Sequence, residues 1–108
     1  MARMGYCPSG RLFEAAACGV AIVSDAWAGL ETFFEPGVEL IVARSTDDVL
    51  SAMQMPESEI TRIARAGRQR VLDSHTAAHR ASELESIFET ARDVPVQNFY
   101  HRQMVAEV

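Results

Sequence analysis

Residues 8–25 read PSGRLFEAAACGVAIVSD, and this stretch decides the fold class. Ser9 is a strong helix N-cap, because its hydroxyl can take up a backbone N–H of the first turn. A helix over residues 10–18 is predicted from it. Gly19 stands at the position just past that helix, where a left-handed residue ends the last turn. The small side chains Ala15, Ala16 and Ala17 let the helix lie close to a sheet. The next five residues, VAIVS, hold four apolar side chains and a serine without alternation. Such a run predicts a short strand covered on both faces, as in a parallel sheet.

Working outward, residues 25–37, DAWAGLETFFEPG, give a turn, a short helix over 30–34, and a stop at Pro36-Gly37. VELIVA, residues 38–43, is a second strand. STDDVLSAMQ, residues 45–54, has Ser45 or Thr46 as cap, acids in the first turn, and apolar Val49, Leu50 and Met53. After Pro56, Ile60, Ile63, Ala64, Gly67 and Val71 form one stripe, with Glu59, Arg62 and Arg65 turned outward. DSHT, residues 73–76, breaks the pattern. A last helix follows, with Ala77, Ala81, Leu84, Phe88 and Ala91 at helical spacing. The expected fold class is α/β. It is an incomplete Rossmann-like half layer with two short parallel strands, about five helices and a helical C-terminal half. Residues 94–108 have no clear period and read as a C-terminal extension to a domain over 1–93.

The 108 residues, 48% hydrophobic and 23% charged, suit one globular domain with a small core. No apolar run approaches the roughly 18–20 residues of a membrane helix. The N-terminus has no apolar signal core. Cys7 and Cys18 are not spaced as a redox or metal pair, and they suit a reducing, cytoplasmic setting. The net charge of −5 argues against a nucleic-acid partner. RIARAGRQR, residues 62–70, reads as a solvated helix face. His75 and His79 are four apart, yet no third ligand accompanies them, so no metal and no cofactor is expected. Two parallel strands alone make a marginal sheet. A second copy of the chain, or a missing N-terminal lobe, is therefore the expected partner.

The chemistry of residues 8–25 lies at the helix start. A helix N-terminus offers free N–H groups and a partial positive charge. Ser9 and Gly10 let an anion approach the backbone, and Arg11 adds a fixed cation. Glu14, one turn on, can accept hydrogen bonds from the two hydroxyls of a ribose. That combination suits a nucleoside diphosphate. An alternative is purely structural: Glu14 favours the helix dipole or pairs with Arg11.

The segments GYCPSGRLFEAAACGVAIVSD, GLETFFEPGVELIVARSTDDV and HTAAHR resemble the C-terminal lobe of GT-B glycosyltransferases. The nearest likeness is to the group-1-like subset that includes spore-maturation-type enzymes. The resemblance covers residues 4–92. It implies a Rossmann-like lobe that binds a nucleotide diphosphate-sugar donor without a metal. It also implies Ser9, Gly10 and Arg11 on the phosphate side and Glu14 on the ribose side. Many relatives carry a further glutamate upstream, and Tyr6 stands at that position. The parent reaction would move a sugar to an acceptor between two lobes, so the chain alone is expected to be inactive. The alternative function is a non-catalytic interaction or oligomerisation module. Asp25 and Glu31 are possible cleft residues. Each has a structural reading too, Asp25 as a turn cap and Glu31 as a helix-start acid. Trp27, Phe33 and Phe34 are expected in the core or at a domain interface.

Overall fold

The computed structural model describes residues 5–93. Along the chain run α1 (Gly10–Ala17), β1 (Val23–Ser24), α2 (Leu30–Phe33), β2 (Ile41–Val42), α3 (Thr46–Met53), α4 (Glu57–Ser74) and α5 (Ala77–Arg92). The chain divides into two compact units between Thr76 and Ala77.

In the first unit, capping chemistry sets the helix ends. Ser9 caps α1 by accepting from the Arg11 N–H at 3.3 Å. Gly19, at φ +77°, closes α1 with two bonds. The Gly19 N–H donates to the Ala16 carbonyl at 3.0 Å and the Val20 N–H to that of Ala15 at 3.2 Å. This is the paired-bond Schellman ending that a left-handed glycine makes possible. Ser45 caps α3 by accepting from the Asp48 N–H at 3.2 Å. Asp48 reaches back to the Arg44 N–H at 2.8 Å.

β1 and β2 pair in parallel, with Val23 opposite Ile41 and Ser24 opposite Val42. The Ile41 N–H donates to the Ile22 carbonyl and the Ala43 N–H to that of Ser24, both at 2.9 Å. The core is Ala16, Trp27, Leu30, Phe34, Leu40 and Val71, flanked by Leu12, Phe13, Ile22, Phe33 and Val42. Trp27 and Phe34 thus serve burial, as the sequence suggests. The result is a partial Rossmann-like half layer.

Two expectations need correction. The sheet is not covered on both faces among the described residues. Side chains alternate along a strand, so Ile22, Leu40 and Val42 turn to the core while Val23 turns away. Val23 is 45% exposed and Val20 55%. An apolar run does not reveal whether one face or two will be covered. On α3, the buried residue is Ala52, whereas Val49, Leu50 and Met53 are exposed.

α4 follows its predicted stripe, with Ile63, Ala64, Gly67 and Val71 buried, and it packs against α1. At Gly67 the helix meets the backbone ahead of β2. A Cβ there would lie 2.6 Å from the Glu39 carbonyl oxygen. The arginines of α4 do more than face solvent. Arg68 Nε donates to the Ala17 carbonyl at the end of α1, at 3.2 Å. Arg70 donates to the Thr32 carbonyl at 3.3 Å and lies 3.6 Å from the Glu39 carboxylate. Arg62 donates to the Gly37 carbonyl at 3.4 Å and pairs with Glu59. The hydrogen bond from Arg62 holds the Glu59 carboxyl below its ordinary range.

His75 ends α4. Its Nε2 lies 2.7 Å from the Phe33 carbonyl oxygen. A carbonyl only accepts, so Nε2 carries the proton. The ring stands among Phe13, Phe33 and Phe34, with centroids 5.2, 5.8 and 5.7 Å away. His75 is therefore part of the aromatic packing around α1 and α2.

The second unit contains α5. None of its residues is buried. Arg80 and Glu83 pair at 3.0 Å, and Thr90 donates to the Ser86 carbonyl at 3.0 Å. Leu84, Ile87 and Phe88 are exposed on it. No helix among the described residues is long and apolar enough to cross a membrane. The proposed extension over 94–108 lies outside the described residues.

Candidate functional site

The β1–β2 pair points the ends of both strands the same way, and the helix starts gather at that edge. α1 leads into β1 and so begins at the carboxyl edge of the sheet. α2 follows β1 and α3 follows β2, so both also begin there. In open α/β sheets this edge is where ligands lie.

The loop before α1 is fastened to the loop after β1. The Tyr6 N–H donates to the Ala28 carbonyl at 2.6 Å. The Tyr6 ring lies against Gly29, where any Cβ would run into it. Gly5 also approaches Ala28, since a Cβ on Gly5 would lie 3.0 Å from that of Ala28. These contacts tie residues 5 and 6, ahead of α1, to residues 28 and 29, which lie between Asp25 and Glu31 in the chain.

The tip itself is open. Gly10 and Arg11 are exposed and Ser9 half-buried. A Cβ on Gly10 would meet nothing within 4 Å. Glu14 is exposed as well. Ion pairs between described side chains include Arg62–Glu59, Arg70–Glu39 and Arg80–Glu83. Neither Arg11 nor Glu14 takes part in one, so the internal pairing of these two is not realised. They lie three positions apart on one helix face.

Asp25 is exposed, and the Ser24 hydroxyl donates to its carbonyl oxygen at 2.9 Å. The same hydroxyl lies 3.5 Å from the Asp25 carboxylate. Glu31 is exposed in the first turn of α2, where it favours the dipole of that helix.

Sequence reasoning missed Arg44, and it read Tyr6 only as the residue that stands where relatives carry a glutamate. Arg44 is exposed immediately beyond β2, a second cation on the carboxyl edge. Tyr6 carries φ +52°. Only Gly5 hinted at an unusual turn there.

Chemically, the edge offers unsatisfied helix N–H groups, cations and a carboxylate with free acceptor positions. Such a set can hold a phosphorylated, hydroxyl-bearing ligand. No curated protein and no solved structure matches the chain. A protein family described as glycosyl transferase-like matches residues 1–86, which span the open tip, both strands and all of α4. On that match, this chain belongs to the glycosyl transferase-like family.

Proposed function

We propose that the chain supplies nucleotide diphosphate-sugar binding to a glycosyltransferase of GT-B type. The observation that carries this reading is the uncovered tip of α1, with Arg11 and Glu14 both unpaired beside it at the carboxyl edge of a parallel sheet. The tip amides and Arg11 would hold the diphosphate and stabilise its charge as it leaves. Glu14 would accept from the ribose hydroxyls. Asp25 and Glu31 would line the same cleft. Residues 1–93 would form part of the donor lobe, and the acceptor side would come from another lobe. The free cysteines Cys7 and Cys18 agree with a cytoplasmic protein.

Calorimetric titration with a nucleoside diphosphate and with inorganic pyrophosphate tests the reading. Affinity around millimolar is expected, since little surface encloses the ligand. Arg11→Ala should weaken both ligands. Glu14→Gln should weaken the nucleoside diphosphate about tenfold, the loss of one charge-assisted hydrogen bond, and spare pyrophosphate. Equal loss for both ligands in Glu14→Gln would make Glu14 structural, and no binding of either would remove the reading.

A second reading is an interaction module. The exposure of Leu84, Ile87 and Phe88 on α5 favours it, because a helix seldom leaves such side chains in water without a partner.

A further inference from the structure

α5 runs over Ala77–Arg92 and buries none of its 16 residues. Its apolar side chains nevertheless keep a strict order. Ala77, Ala81, Leu84, Phe88 and Ala91 fill the two core positions of a seven-residue repeat. Ala81 and Phe88 stand at one of these positions, and Ala77, Leu84 and Ala91 at the other. A stripe this narrow is a seam for one other helix. Leu84 is 52% exposed and Phe88 62%, so the seam is open in the single chain.

The charges beside the seam select what fits it. In a parallel pair of helices, each residue flanking the seam on one side meets the residue five places further on in the other helix. Arg80 would then meet Glu85, twice in a symmetric dimer. Arg80 holds Glu83 of its own helix at 3.0 Å, and the several N–H groups of a guanidinium can serve a second carboxylate as well. Glu85 is exposed. Ile87 would meet Arg92, whose aliphatic stem can cover it. An antiparallel pair with Leu84 packed on Phe88 would instead set Glu85 against its own copy, and like charges there repel.

We propose that α5 pairs in parallel with α5 of a second copy of this chain, as a short two-stranded coiled coil. Leu84 and Phe88 fill its seam, and Arg80–Glu85 pairs run along both sides. This deepens the interaction reading of α5 given above and does not depend on donor binding. Alanine holds three of the five seam positions, so the helices can approach closely but bury little apolar surface. The dimer is therefore weak and reversible.

Sedimentation equilibrium of the full chain tests the pairing. A dimer is expected at high micromolar concentration. Arg80→Glu and Glu85→Arg each place like charges across the seam, and each should weaken the dimer about tenfold. Circular dichroism of each variant should match the wild type, so that a lost dimer is not a lost helix. An equimolar mixture of the two variants should dimerise about as well as the wild type, because acidic flanks then face basic ones. Oxidative cross-linking reads the direction. In a chain with Cys7→Ser and Cys18→Ser, Ala91→Cys should link to its own copy, since seam residues of the same number meet in a parallel pair. Linking only between a chain with Ala91→Cys and one with Ala81→Cys would mean an antiparallel pair and overturn the proposal. So would a dimer that neither charge change weakens, or a mixture no better than its components. These outcomes leave self-association standing and remove only the parallel pairing. A monomer at high micromolar concentration removes both.

Discussion

Gly10 sits where two demands on the tip of α1 meet. A helix interior disfavours glycine, because the unfolded chain then has more freedom to lose. Nothing in the fold requires glycine here, since a Cβ would meet no atom within 4 Å. Gly10→Ala should therefore raise stability by about 0.5 kcal/mol. If an anion docks on the tip amides, the same change should weaken pyrophosphate binding. Thermal melting and titration on one sample separate the two effects, and unchanged affinity would show that no ligand needs the bare backbone. The caps Ser9, Gly19 and Ser45 were legible in the sequence because their bonds close within a few residues. Arg68 and Arg70 were not. Each reaches a carbonyl far along the chain, 51 and 38 positions away, and a run of arginines does not say which of them will find one. Tyr6 was legible only as a departure from a resemblance, for its strain depends on Ala28 and Gly29.

At the scale of elements, α4 meets α1, α2 and the segment ahead of β2. Its stripe was readable because Ile63, Ala64, Gly67 and Val71 keep a helical period. Gly67 was read as one apolar position among these, but its role is steric. It lets α4 touch the Glu39 backbone, and Glu39 in turn accepts from the Glu35 N–H at 2.6 Å. Gly67→Ala would force helix and β2 apart and should cost about 1–3 kcal/mol, despite the better helix propensity of alanine. A denaturant melt checks this, and a neutral result would mean that the segment before β2 yields. The strands were found in the right places but not with the right surroundings. Apolar VAIVS fits a two-sided strand, yet only its inward residues meet the core. On α3 the cap was clear, while the choice of Ala52 as the contact residue depended on packing that no local pattern encodes.

For the whole molecule, apolar surface remains to be accounted for. Val20, Val23, Leu84, Ile87 and Phe88 are all exposed, and the sheet has two strands. Association with a second copy is the expected outcome. Sedimentation should show a dimer or larger species, and Leu84→Glu should dissociate it without loss of helicity if α5 carries the contact. A well-folded monomer at high micromolar concentration would refute this. The bond from Arg68 to the Ala17 carbonyl has an electrical consequence. A helix is a row of aligned dipoles with a positive start and a negative end. Arg68 offsets the negative pole of α1, while the positive pole at Gly10 faces solvent with Arg11 beside it. The backbone dipole of α1 is therefore offset at its end and left open at its start, where Arg11 lies and Glu14 follows one turn on. Around it the molecule carries a net −5 and repels anions at long range. Salt shortens the reach of that repulsion to about 8 Å at physiological strength. Under those conditions an anion close to the molecule meets chiefly the local field, and the start of α1 is one attractive part of that field.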